Sequence, residues 1–151
     1  MSVLKRVNSL KPDKMSNNMP DMGLFNKFFG DSDNKVNASS AISWNNLTEL
    51  KQLDSIVEES REIPVILFKH STRCAISRMA LKQFEQEYGI NDDAAKPYFL
   101  DLLEHRDISN AIAERFDVMH QSPQVILVKG GKAVYDTSHG DINAGVMKTK
   151  I

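Results

Sequence analysis

The chain is poor in cysteine, with a single one, Cys74, among 151 residues. One thiol excludes an internal disulfide and any metal site built from several cysteines. It suits a reducing compartment, so a cytoplasmic protein is expected. Long apolar runs are also missing. No stretch approaches the ~20 residues needed to cross a bilayer, and residues 1–15 contain no apolar core of signal-peptide length. Neither secretion nor membrane insertion is expected. Charge of one sign is lacking too. The formal net charge is −1, which gives no electrostatic reason to expect nucleic-acid binding. The four histidines, His70, His105, His120 and His139, fall at spacings that match no metal-ligand pair, so no metal is expected. What remains, 41% apolar and 26% charged, is the composition of an ordinary globular domain.

Residues 1–40 differ from the rest. They are rich in Asn, Ser, Asp and Lys, carry prolines at 12 and 20, and show no sustained period. They read as a disordered or loosely docked tail. Six Lys/Arg against four Asp leave this tail with two surplus positive charges, while the remainder carries 13 Lys/Arg against 16 Asp/Glu. Inside the tail, Met22 to Gly30 contains Leu24, Phe25, Phe28 and Phe29. These four apolar side chains fit either an unstructured leader or one amphipathic turn for a membrane or partner.

From residue 41 the pattern becomes regular. Ile42-Ser43-Trp44 suits a short edge strand. Thr48 is placed to cap a helix with Leu50, Leu53 and Val57 on one face. After Pro64, the run Val65-Ile66-Leu67-Phe68 has the character of a strand buried on both faces. Ser71 to Cys74 is a loop, and Ile76, Ala80, Phe84 and Tyr88 then repeat along a helix that Gly89 ends. Pro97 to Leu102 is the next strand. Asp107 caps a helix with Ile108, Ala111, Ile112 and Phe116 inward. Val125 to Val128, Gly130-Gly131 and Ala133 to Tyr135 form a hairpin, and a short helix from Asn143 closes the chain. The order is β-α-β-α-β-α-β-β-α. Alternation in the first half implies parallel strands, and the hairpin adds antiparallel ones. The expected architecture is a three-layer α/β/α sandwich around a mixed sheet, spanning residues 41–151.

Cys74 falls just after a buried strand and at the start of a helix. First-turn N–H groups have no intrahelical partner, and the helix dipole places partial positive charge there. Both favour thiolate, the form that attacks disulfides. Arg73 adds a neighbouring positive charge, with Lys69, His70 and Arg78 close in sequence. Ser77 stands three residues on. Its hydroxyl can donate to a thiolate but cannot resolve a mixed disulfide. The plain alternative is that a lone cysteine is a small buried hydrophobe.

Three stretches carry a family resemblance: Phe68 to Ser77, Ser122-Pro123-Gln124-Val125, and Ser138-His139-Gly140-Asp141-Ile142. Over about residues 42–151 the chain resembles the monothiol bacilliredoxins of the thioredoxin-like superfamily. The resemblance implies a thioredoxin-like fold and a cis Ser122–Pro123 bond, whose preceding backbone pairs with a bound disulfide. It implies that Cys74 attacks and that Ser77 replaces a resolving cysteine. It also implies bacillithiol, a small thiol bearing a malate group, as co-substrate, with no tightly bound cofactor. The partners it implies are S-thiolated client proteins and a reductase. Lys69, Arg73 and Arg78 are then candidate cations for the small thiol, and Gly140 and Asp141 candidate contacts for its polar end. Many members have Pro after the cysteine, where this chain has Ala75. Two rival readings stand beside this one: a thioredoxin-like binding module with an inert cysteine, and a glutathione-using monothiol glutaredoxin that shares an iron–sulfur cluster. The second typically has Gly-Phe between Cys and Ser, and Ala75-Ile76 departs from that.

Overall fold

The computed structural model describes residues 42–151, so the expectations for residues 1–41, including the apolar stretch from Met22, lie outside the described residues. In chain order the elements are β1 (Asn45–Asn46), α1 (Gln52–Glu59), β2 (Val65–His70), α2 (Ala75–Glu87), β3 (Lys96–Asp101), α3 (Arg106–Phe116), β4 (Gln124–Lys129), β5 (Lys132–Ser138), a 3-10 turn (His139–Asp141) and α4 (Ala144–Lys148). The sheet order is β1-β3-β2-β4-β5. β3 runs parallel to both β1 and β2, whereas β4 is antiparallel to β2 and to β5. The mixed sheet, with helices packed on both faces, is the expected thioredoxin-like sandwich.

Period-two alternation along the central strands sorts the core into two layers. Ile66, Phe68, Val125 and Leu127 face Ala80, Phe84 and Tyr88 of the α2 segment and Ala144 and Met147 of α4. Val65, Leu67, Ile126 and Val128 face Leu53 and Ile56 of α1 and Ile108, Ile112 and Phe116 of α3. Both strands are buried along nearly their whole length, which is why they read as continuous apolar runs. Phe84 is fully buried and sits against Phe68, with ring centroids 5.4 Å apart. Truncating such a ring to Ala costs ~3–5 kcal/mol.

Local departures from expectation have local causes. The edge strand forms at Asn45–Asn46 rather than at residues 42–44, because Ile42 is drawn into the core and Trp44 packs on Phe68, Phe84 and Phe99. Thr48 does not cap α1. Instead Gln52 Oε1 accepts from the N–H groups of Thr48 and Glu49 at 2.8 and 2.9 Å, and Leu50 in the preceding turn is exposed. Asp107 lies in the first turn of α3, not at its cap. The hairpin forms as read. Gly130 and Gly131 have φ of 58° and 77°, a left-handed conformation that side chains resist. Their N–H groups donate to the carbonyl and hydroxyl oxygens of Ser60, tying the turn to α1. Asn143 accepts from Val146 N–H at 2.9 Å and caps α4.

No helix among the described residues is long and apolar enough to cross a membrane.

Candidate active site

Cys74 is the N-cap residue of α2, in extended conformation (φ −98°, ψ 122°), and is half-buried. β2 delivers the chain to this point, and the loop from Ser71 turns it into the helix. Cys74 N–H donates to Ser71 O at 3.1 Å, and Cys74 O accepts from Arg78 N–H. The Arg78 guanidinium donates to Thr72 O at 3.1 Å. Arg73 and Arg78 are both solvent-facing. The loop is therefore held by backbone bonds and one arginine, and the half-buried Cys74 is flanked in sequence by the exposed Arg73 and Arg78.

Ser77, at the third helical position, is fully buried. Its Oγ accepts from Ser71 N–H at 2.9 Å and lies 2.8 Å from His70 Nδ1. The hydroxyl thus closes the Ser71–Ser77 loop from inside. Of the expected inward stripe on α2, Ala80 and Phe84 are buried, but Ile76 is 58% exposed. The buried face of α2 is that of Ser77, Ala80 and Phe84, and a strict four-residue spacing rotates Ile76 about 80° away from Phe84 and out of the core. Met79 and Met119 are exposed as well, at 72% and 79%. His70 was not assigned a role from sequence. Burial holds its pKa below the usual histidine value, opposed by the carboxylate of Asp101.

The Ser122–Pro123 bond is cis. Gln124 pairs with Lys69 across the β2–β4 ladder, and continuing that register sets Pro123 opposite His70, at the end of the sheet where the Cys74 loop starts. Pro123 O accepts from His139 N–H at 3.1 Å. That bond draws in the 3-10 turn carrying Gly140 and Asp141, both exposed, and the turn packs against α2. Cys74, Ser77, Arg73, Arg78, Pro123, Gly140 and Asp141 are thus gathered at one end of the sheet.

Lys69 is not with them as a solvent-facing cation. Alternation turns it to the opposite face, where it is fully buried. Its ammonium lies 2.8 Å from His120 Nδ1 and donates to Gln124 Oε1 at 3.2 Å. Burial lowers its pKa to about 8. The Gln124 amide in turn donates to Met119 O and to Asp136, and its oxygen accepts from Gln121 N–H. Neither Gln124 nor His120 has a site role in the sequence reading, which takes His120 only as a surface or hydrogen-bonded histidine. The available signal was polar residues at 69 and 124 continuing the inward alternation of Leu67 and Ile126.

Known proteins of the same kind bear on this site. The profile of the family described as Monothiol bacilliredoxin BrxC matches residues 45–147. A solved structure described as a candidate oxidoreductase with a thioredoxin fold is 32% identical, with 69% of this chain and 89% of that chain covered and a TM-score of 0.59. A thioredoxin from Malassezia sympodialis superposes with a TM-score of 0.58 at 14% identity, covering 74% of this chain and 90% of its own. Mitochondrial thioredoxin 3 from Saccharomyces cerevisiae, in its oxidized form, gives 0.54 at 17% identity, covering 72% and 93%. These last two show the fold alone. The family implies a thiol-redox role, and on a match that runs from β1 into α4 the chain belongs to the monothiol bacilliredoxin family.

Proposed function

We propose that this protein removes a small thiol, bacillithiol, from mixed disulfides on client proteins, with Cys74 as the nucleophile. The Cys74 thiolate attacks the small-thiol sulfur of the mixed disulfide. The old S–S bond breaks, the client sulfur departs as thiolate and takes up a proton, and a new S–S bond joins Cys74 to the small thiol. A second molecule of small thiol then attacks that bonded sulfur, releasing Cys74 and forming the disulfide of two small thiols. A partner reductase can serve in its place.

The observation that carries this reading is the half-buried N-cap position of the chain's single cysteine with Ser77 three residues on. A serine there has no sulfur to displace the adduct, so the protein halts at a one-to-one mixed disulfide. First-turn N–H groups of α2 have no intrahelical partner and lend partial positive charge to the helix start, although the Cys74 side chain makes no cap hydrogen bond to them. Arg73 and Arg78 supply cations for the acidic small thiol. The Ser122 backbone, held by Pro123, pairs with the bound disulfide, and Gly140 and Asp141 meet the small thiol's polar end. The reaction belongs to a reducing cytoplasm. No tightly bound cofactor is required.

The test uses a protein carrying one bacillithiol adduct. Purified, reduced chain should release the client thiol and gain the mass of one bacillithiol on Cys74, with turnover only when free thiol or a reductase is added. Release of the client without any adduct on Cys74 would defeat the reading.

A further inference from the structure

Burying a charge is costly unless it is paired. Lys69 is fully buried, and among the described residues no carboxylate lies in ion-pair contact with it; the salt bridges there involve other residues. Asp136 is reached only through the Gln124 amide. An ammonium only donates, so His120 Nδ1 must accept from Lys69 at 2.8 Å. The neutral His120 ring therefore carries its proton on Nε2, where it is a donor pointing away from Lys69. Burial and Lys69 both hold the pKa of His120 below the usual value, which keeps the ring neutral near pH 7.

His120 is also a wall of a cavity of about 210 Å³, lined by Leu102, Arg106, Ser109, Asn110 and His120. Arg106 offers a guanidinium, Asn110 an amide and His120 its Nε2–H, while the Ser109 hydroxyl, 3.3 Å from His120 Nδ1, is engaged with the ring. No carboxylate lines it; Asp107 sits in the same helical turn but is not in the wall. The first turn of the eleven-residue α3 adds partial positive charge. A cavity of donors thus opens one hydrogen bond away from an unneutralised buried cation.

We infer that the cavity between the first turns of α3 and His120 binds an anionic group, a carboxylate or a phosphate. Arg106 and His120 contact it, and Lys69 acts through His120 by fixing its tautomer and supplying the field. Lys69 is thus a positioning residue. The inference is independent of the redox reading, because the site can be assayed without the thiol.

The experiment is a titration of full-length Cys74→Ser protein at pH 7 and constant ionic strength, followed by backbone amide NMR. Inorganic phosphate and malate are added separately, with a neutral sugar as control. Either anion should give saturable shifts at residues 106–110 and 119–121, and should raise the melting temperature by mass action. Saturation by malate but not phosphate assigns a carboxylate site, and the reverse a phosphate site. Arg106→Gln, at an exposed position, should weaken binding about tenfold, the usual worth of one charge-assisted contact. Lys69→Met should weaken it similarly, with the other spectral changes confined to the strand ends and loop that Lys69, Gln124 and His120 join. Should Lys69→Met lose the fold, the His120 side-chain nitrogen shifts of the Cys74→Ser protein decide instead: a proton on Nε2 supports the assignment and a proton on Nδ1 overturns it. Shifts that never saturate, or saturation equally tight in Arg106→Gln, would overturn the inference.

Discussion

Two consecutive residues at the end of β2, Lys69 and His70, anchor polar networks on opposite faces of one sheet. Both are buried, and they do opposite things with burial. On the α2 face, His70 and Ser77 form a small neutral set in which one hydroxyl serves a backbone N–H and a ring nitrogen. It shapes the loop that presents Cys74. On the α3 face, Lys69, Gln124 and His120 form a larger set that holds an ammonium and fastens the loop before Pro123. The neutral side pairs one hydroxyl with a backbone N–H and a ring nitrogen. The charged side is bonded but not neutralised, and burial accordingly pushes Lys69 down to about 8. Hydrogen bonding and charge compensation are separate requirements, and a strand can meet the first without the second.

The difference can be tested by breaking each part in turn. The largest effect belongs to the thiol the neutral side presents. Cys74→Ser should abolish mixed-disulfide formation outright, as read by intact mass, and should leave the melting temperature nearly unchanged because the side chain is only half-buried.

The charged side should show itself in the pH dependence of stability. The Lys69 pKa falls from 10.5 in the unfolded chain to about 8 in the folded one. Between those values the unfolded chain binds more protons, so stability rises with pH. The gain amounts to about 3 kcal/mol, starting near pH 8. Tyr88 and Tyr98, raised from 10.0 to about 12 mainly by burial, act the other way and lose stability above pH 10. Urea unfolding at pH 7 and pH 9.5 isolates the lysine. The native chain should gain between the two, and Lys69→Met should not. Equal slopes in both proteins would mean that Lys69 is not the source.

Ser77→Ala leaves Ser71 N–H and His70 Nδ1 without their partner, and a buried orphan costs about 1–3 kcal/mol. The expected fall in melting temperature should be accompanied by faster amide exchange at Ser71. Unchanged exchange would show that the hydroxyl does not hold the loop. The smallest effect is that of Arg78→Ala. Its bond to Thr72 O is exposed, so the stability change should stay below about 1 kcal/mol. The rate at which Cys74 exchanges with the acidic small thiol should fall, more so at low salt. A salt-independent rate would remove Arg78 from the site.

Much of this protein was legible in its residue order. Val65 to Phe68 and Val125 to Val128 announced central strands because both of their faces are buried. Gly130-Gly131 announced the hairpin because only glycine takes those positive φ values cheaply. The resemblance to the monothiol bacilliredoxins implied the cis Ser122–Pro123 bond that is found. Ends of elements were less legible. Ile76 fits a four-residue spacing yet is exposed, since that spacing drifts about 40° per step around a helix of 3.6 residues per turn and the buried face is that of Ser77, Ala80 and Phe84. The partners of buried polar groups were not legible at all. Lys69 read as one of several cations near a thiol, and Ser77 as a donor to that thiol. The tertiary structure alone sent Lys69 through the sheet to His120, 51 residues away in sequence, and turned Ser77 to His70. Sequence determines which apolar runs must leave water, because that depends on their own chemistry and period. Which polar groups then meet depends on strand register and on which face each residue lands, and those are set only when distant segments pair.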